Sequence, residues 1–169
     1  SNLTEISGGP TLAGNIAVLT PSSAMQINLI GTTPSGDVVR TYWQLGFGGT
    51  WVTENLTERL SSPALVPETL TAYFTPWNAM QVAGVTEDDR IYVYGLRDEP
   101  EAAWNAFDLT PVLPEGVDLP SGRLTNAAEP GAGINVFGRS EDGDVVVLTW
   151  RPEALWEMEN ITERVALGV

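Results

Sequence analysis

Ile30-Gly31-Thr32-Thr33-Pro34-Ser35-Gly36-Asp37-Val38-Val39 recurs as Ala83-Gly84-Val85-Thr86-Glu87-Asp88-Asp89-Arg90-Ile91-Tyr92 and again as Phe137-Gly138-Arg139-Ser140-Glu141-Asp142-Gly143-Asp144-Val145-Val146. The leading glycines lie 53 and 54 residues apart. Each is followed at a near-constant distance by a tryptophan (Trp51, Trp104, Trp156) and then by Asn55-Leu56-Thr57, Asp108-Leu109-Thr110 and Asn160-Ile161-Thr162. Upstream the match is fainter: Ala24-Met25-Gln26-Ile27 returns as Ala79-Met80-Gln81-Val82, and Thr20-Pro21, Thr75-Pro76 and Glu129-Pro130 each precede a short polar turn. Self-similarity at a fixed interval is the mark of a repeat architecture.

Within each unit the pattern predicts four short strands, at 14–20, 25–31, 37–44 and 51–57 in the first, 69–75, 80–84, 90–96 and 104–110 in the second, and 123–128, 133–138, 144–150 and 156–162 in the third. Ser35-Gly36-Asp37 and Asp142-Gly143-Asp144 place glycine where a tight turn needs positive φ. Helical periodicity is absent except at Glu99-Pro100-Glu101-Ala102-Ala103-Trp104, which could make one turn of helix. The third strand is largely apolar on both faces, Val39, Thr41 and Trp43 against Val38, Arg40 and Tyr42 in the first unit. A strand apolar on both sides is expected to be covered on both sides. Blades stacked around an axis are covered in this way, so the expected fold is all-β and β-propeller-like, with three four-stranded repeats of roughly 53 residues. A β-trefoil or β-prism is the alternative that explains three units in one chain. The expected organisation is a single repeat domain over 1–169, with repeat one at 11–60, repeat two at 68–113 and repeat three at 121–167. Asn2-Leu3-Thr4-Glu5 copies the end of the unit, which predicts a surplus strand at 2–6. Propellers close with about four to eight blades, so three are expected to be completed by oligomerisation, two chains giving a homodimer of six.

The chain has 22 acidic and 8 basic residues, a net charge of -14, and all its basic residues are Arg; there is no Lys, His or Cys. Catalytic triads built on His or Cys, conventional zinc sites, Schiff-base lysines and the phosphate-loop lysine are thereby excluded. Nucleic acid is not an expected partner, because phosphate backbones are held by Lys and Arg. Membrane insertion is not expected either, since no stretch approaches the ~18 uninterrupted apolar residues of a membrane helix. No carboxylate pair stands out by its spacing as glycoside hydrolysis would need, so the chain is read as non-enzymatic and without cofactor. The acidic turns Glu87-Asp88-Asp89 and Glu141-Asp142-Gly143-Asp144 lack calcium-loop spacing and are read as solvated hairpin tips, with no metal site. The Asn-x-Thr patterns at Asn2, Asn55 and Asn160 belong to the repeat, and so are no evidence of glycosylation.

Val136-Phe137-Gly138-Arg139-Ser140-Glu141-Asp142-Gly143-Asp144-Val145, followed by Trp150 and Trp156, resembles the repeat unit of bacterial and fungal β-propeller lectins, including the fucose-binding fungal type and the tectonin type. Tyr73-Phe74-Thr75-Pro76-Trp77-Asn78-Ala79-Met80-Gln81-Val82 resembles the strand-turn-strand opening of long bacterial repeat proteins of that general kind. The resemblance implies glycan recognition in clefts between adjacent blades, through Trp stacking with hydrogen bonds from Arg and Glu. The units depart from one another: Leu96 stands where Trp43 and Trp150 are, and Val85 and Thr32 where Arg139 is. Identical sites in every blade are therefore not expected.

Trp51, Trp104 and Trp156, recurring at one position, are read as blade core, as are Trp43 and Trp150, because large aromatics dominate core packing. Trp77 belongs to a polar turn without counterpart in the other units, and loop-borne aromatics on a rigid scaffold are where binding concentrates. The candidate ligand-binding residues are Trp77 and its neighbour Asn78, with Arg40, Arg97 and Arg139 as cations placed to donate hydrogen bonds, although in so acidic a chain each also has carboxylates to pair with. The expected function is lectin-like carbohydrate binding, extracellular or at a cell surface. The alternative is a structural or protein-interaction segment of a larger secreted or surface protein.

Overall fold

The computed structural model describes residues 2–21, 25–45, 48–97, 103–114, 116–129 and 133–168. These residues form twelve strands: β1 (Ala13–Leu19), β2 (Gln26–Thr32), β3 (Val38–Gln44), β4 (Trp51–Asn55), β5 (Thr71–Phe74), β6 (Met80–Val85), β7 (Ile91–Leu96), β8 (Asn105–Asp108), β9 (Thr125–Glu129), β10 (Gly133–Arg139), β11 (Val145–Arg151) and β12 (Leu155–Asn160). Three short helices, α1 (Leu3–Ser7), α2 (Leu56–Leu60) and α3 (Ile161–Ala166), accompany them. The strands make three four-stranded antiparallel sheets, β1–β4, β5–β8 and β9–β12, and in each a strand pairs only with its neighbours in sequence. The first strand of the middle sheet, β5, lies against the first strands of both others, β1 and β9.

The hairpin joining the second and third strands is built alike in each sheet. Thr33, Thr86 and Ser140 each donate a backbone N–H to the carbonyl of Asp37, Arg90 and Asp144, at 2.9 Å. One residue in each turn has positive φ, Gly36 (87°), Asp89 (58°) and Gly143 (89°). The repeated glycines have a different origin. A Cβ on Gly84 would lie 2.6 Å from Leu65 Cδ1, one on Gly31 3.0 Å from Leu12 Cδ1, and one on Gly138 2.4 Å from Pro120 Cβ. They are notches into which the segment leading to each sheet presses.

Two hydrophobic clusters order the sheets. Ile30, Val38 and Leu56 pack with Leu70, Met80, Val82, Tyr94 and Trp104 between the first and second sheets. Tyr73, Ala83, Val85, Ile91 and Val93 pack with Ile134, Val136 and Leu148 between the second and third. The middle sheet is thus covered on both faces, by different partners, and among the described residues no cluster joins all three. That is the stacking of propeller blades rather than the shared core of a trefoil or prism.

The surplus strand at 2–6 is corrected by the structure: these residues form α1, capped by Asn2, whose side chain accepts the Thr4 N–H. The strands expected at 51–57 and 156–162 likewise stop at Asn55 and Asn160. Asn55 and Asn160 accept the N–H of Glu58 and Glu163 at 3.0 Å and start α2 and α3. Asn-x-x-Glu is a helix-capping signature, and here it overrides the β-propensity of Leu, Ile and Thr. The helical turn expected at 99–104 lies mostly on residues outside those described.

Tyr73 is buried, and its hydroxyl has no partner among the described residues. Burial pushes its pKa well above the ordinary value of about 10. Its phenolate forms at lower pH in the unfolded chain than in the folded one, so stability is fully present below pH ~10 and is lost as the pH rises beyond it. Tyr73→Phe removes an unsatisfied group. It is expected to leave stability unchanged or raise it by up to about 1 kcal/mol at neutral pH, and to flatten the alkaline decline, read from urea unfolding at neutral and alkaline pH.

Candidate functional site

Arg40 lies in the middle of β3, between Val38 and Tyr42 on the face turned to the second blade, and is only 6% exposed. The register of the first sheet sets Glu54 directly opposite Arg40 on β4 and Asn28 opposite Tyr42 on β2. The guanidinium donates from Nε to Asn28 Oδ1 at 2.8 Å and from Nη1 to Glu54 Oε1 at 2.7 Å. Glu54 Oε2 in turn accepts from Arg59 of α2 at 2.7 Å. Charge-assisted bonds of this length hold both groups in one orientation. Arg40 Cζ lies 4.0 Å from the Tyr42 ring centroid and 5.6 Å from that of Trp104, contributed by the second blade.

Trp104 completes the junction and carries its peculiarity. The ring is buried, yet its Nε1–H has no acceptor among the described residues. A buried donor left unmatched costs about 1–3 kcal/mol. Only two of Arg40's five N–H donors are engaged by Asn28 and Glu54. The junction therefore combines oriented donors, a carboxylate and aromatic faces, which suits a neutral polyhydroxylated molecule.

The equivalent positions in the other blades are different. Where the first sheet pairs Arg40 with Glu54, the second pairs Val93 with Phe107 and the third Val147 with Glu159. The cation occurs once.

The five residues expected from sequence are spread over three places. Trp77 stands in the β5–β6 turn, 48% exposed, with its ring edge-on to Trp150 at 4.6 Å between centroids. Asn78 occupies the left-handed position of that turn (φ 64°), where Asn is tolerated, and donates its N–H to Thr75 O. Arg97, just past β7, is exposed at the same end of the second blade. Arg40 is inside the first junction. Arg139 is exposed at the far end of the third blade, and its Nε donates to Gly143 O at 3.4 Å, so it braces a turn. Asn28, Tyr42, Glu54 and Trp104, which surround Arg40, are not among the residues expected from sequence; the signal for them is a lone arginine on an otherwise apolar strand face.

Trp104 is core, as expected, while Trp51 and Trp156 are only partly buried. The acidic turns border a cavity of about 300 Å³ with Asp89, Asp118, Glu141 and Asp142 in its wall. Among the described residues no group of three or more carboxylates is arranged to hold a metal ion, and no helix is long and apolar enough to cross a membrane.

No protein-family model and no curated protein matches the chain. Solved structures do. AofleA from Arthrobotrys oligospora, in a variant with three arginines spaced 53 residues apart replaced by alanine, matches with a TM-score of 0.66 at 18% identity over 88% of this chain. The match covers 42% of that protein, so this chain spans less than half its length. A fucose lectin from Kordia zhangzhouensis, in complex with methyl-fucoside, matches with a TM-score of 0.54 at 16% identity, over 88% of this chain and 99% of that one. In fold, then, the chain is a set of three propeller blades similar to those of fungal and bacterial β-propeller lectins.

Proposed function

We propose that the chain is a non-enzymatic, lectin-like module that takes a neutral sugar at the junction of its first two blades. The observation that carries this reading is the Arg40–Glu54–Asn28 cluster set against a buried Trp104 whose N–H has no acceptor among the described residues. Similarity to two lectins supports it, one of them bound to methyl-fucoside. A recurrent arginine was chosen for replacement in the fungal protein, at the interval that separates the units of this chain. In this chain an arginine stands at the middle of the third strand in one blade, with valine at the equivalent positions of the other two, so one site per chain is expected.

The test is titration calorimetry with methyl-fucoside, followed by a glycan screen. Saturable binding with a stoichiometry near one is expected, weakened about tenfold in Trp104→Phe, which keeps the apolar ring and removes the donor. No binding to any sugar in the screen sinks the proposal.

An extracellular or cell-surface setting follows from this role. In the same reading two chains pair through their uncovered blade faces and close six blades. The purely structural or protein-interaction role is favoured by one observation, the apolar residues exposed on those faces, Ile16, Val18 and Ile27 on the first blade and Val145 on the third.

A further inference from the structure

The chain contains the same structural seat in three settings, and two of its helices fit one copy of it. Between the first and second blades the seat is filled by α2 and the segment after it. Leu56 and Leu65 enter the core, and Thr57, Ser62 and Pro63 all hydrogen-bond the Tyr94 hydroxyl. On the uncovered face of the first blade, α1 and the segment after it repeat this arrangement. Leu12 presses into the Gly31 notch as Leu65 presses into that of Gly84. Leu3, Ser7 and Pro10 lie over Leu29 and Thr41, the positions taken by Val82 and Tyr94 in the second blade. The fit is poorer. Thr41 cannot fill the space of a tyrosine, and a cavity of about 260 Å³ remains under α1. No α1 residue is fully buried, and its Asn2 cap accepts from Thr4 instead of the glutamate N–H used by α2 and α3.

On the uncovered face of the third blade, α3 is tied to its sheet as α2 is to the first. Val145 N–H donates to Thr162 Oγ1 at 2.9 Å, as Val38 N–H donates to Thr57 Oγ1 at 2.8 Å. Arg164 pairs with Glu159 as Arg59 pairs with Glu54. This face is therefore built like the one the first blade turns to the second. Its counterparts are exposed only because nothing covers them: Val145 is 41% exposed where Val38 is 0%. Ile16 (54%) and Ile27 (39%) on the first blade likewise correspond to Leu70 (2%) and Met80 (4%).

We infer that the third blade of one copy docks on the first blade of a second, and that α1 is a removable plug occupying the seat which α3 of the incoming copy takes. The inference rests on the self-association reading above. Docking in the manner of the first junction assigns α1 and α3 to one volume, so both cannot stay. α1 gives way, because α3 is bonded to its blade and α1 covers a cavity. The closed junction also makes a site neither copy has alone. Glu159 and Asn135 of the third blade come to face the partner's Trp51, as Glu54 and Asn28 share the first junction with Trp104. The net charge of -14 on each copy opposes pairing, so association strengthens with salt.

A reversible lock tests the plug on the full chain. A Cβ on Gly9 would lie 3.1 Å from Thr53 Oγ1, close enough for a disulfide in the double variant Gly9→Cys, Thr53→Cys, and the chain has no other cysteine. Light scattering over a range of concentrations at high salt is expected to show a monomer when this variant is oxidised and dimer formation once it is reduced. Leu3→Asp, which loosens α1, is expected to tighten dimerisation about tenfold, because the docking face is then free more of the time. Val145→Asp is expected to abolish it. Equal association of oxidised and reduced forms, or weaker association in Leu3→Asp, overturns the plug while leaving pairing intact. A monomer in every variant overturns pairing itself, and with it the inference.

Discussion

Replacing Gly36 by alanine is expected to lower the unfolding free energy by about 3 kcal/mol or more, while the same change at Gly143 costs about 1 kcal/mol. The two glycines hold the same place in their hairpins, with φ of 87° and 89°, so the cost of forcing an L side chain into the left-handed region is common to both. The surroundings differ. A Cβ on Gly36 would lie 2.3 Å from the Leu65 carbonyl oxygen and 3.0 Å from Ala64 Cβ, and Leu65 N–H donates to Gly36 O at 2.9 Å. Relief requires moving the backbone that leads into the second blade, and with it Leu65 in the Gly84 notch. Gly143, on the uncovered third blade, has nothing nearer than the Arg139 guanidinium at 4.0 Å. Urea unfolding of the two variants decides the matter, and equal losses would refute the assignment of Gly36 as a point of blade-to-blade contact.

Arg40→Ala is the second large effect, at about 3 kcal/mol. It leaves Glu54 mostly buried with Arg59 alone, strips Asn28 Oδ1 of its donor and opens space beneath Trp104. Removing both charges is a different matter, because two apolar side chains of similar size avoid the cost of burying ions at all. The double variant Arg40→Leu, Glu54→Leu is therefore expected to unfold within about 1 kcal/mol of the parent chain. Both variants are expected to lose sugar binding. The double variant separates the two roles: folded and silent towards sugar, it places recognition at Arg40 and Glu54. Folded and still binding, it moves recognition elsewhere, with the exposed Trp77 the first place to look.

The strands were legible because each repeat is punctuated by turn residues and by a glycine. Gly31, Gly84 and Gly138 recur for a physical reason, the close approach of Leu12, Leu65 and Pro120, and no other residue leaves room. The tails were not legible as helices from strand propensity. Leu56-Thr57 and Ile161-Thr162 suit a strand, and the outcome turns on a single side-chain bond from Asn55 or Asn160 to a backbone N–H three residues on. The tryptophans show a further limit. Trp51, Trp104 and Trp156 share one position, but burial there depends on which blade lies across from them, and a repeat pattern does not carry that information. Arg40 could be found as a charge on an apolar strand face. Glu54 could not, because the length of the connection between β3 and β4 sets which acidic residue meets it.

Among the described residues each sheet joins only strands consecutive in the chain, and no strand crosses from one sheet to complete another. Such contacts close small loops, so each meander can form with little entropic penalty before its neighbours are in place. Cooperativity must then come from the two interfaces between sheets, as in a linear array of coupled units. The middle sheet is held by both interfaces and each outer sheet by one. Local opening is thereby directed to the two ends of the arc, the same surfaces through which a second chain would supply the missing coupling.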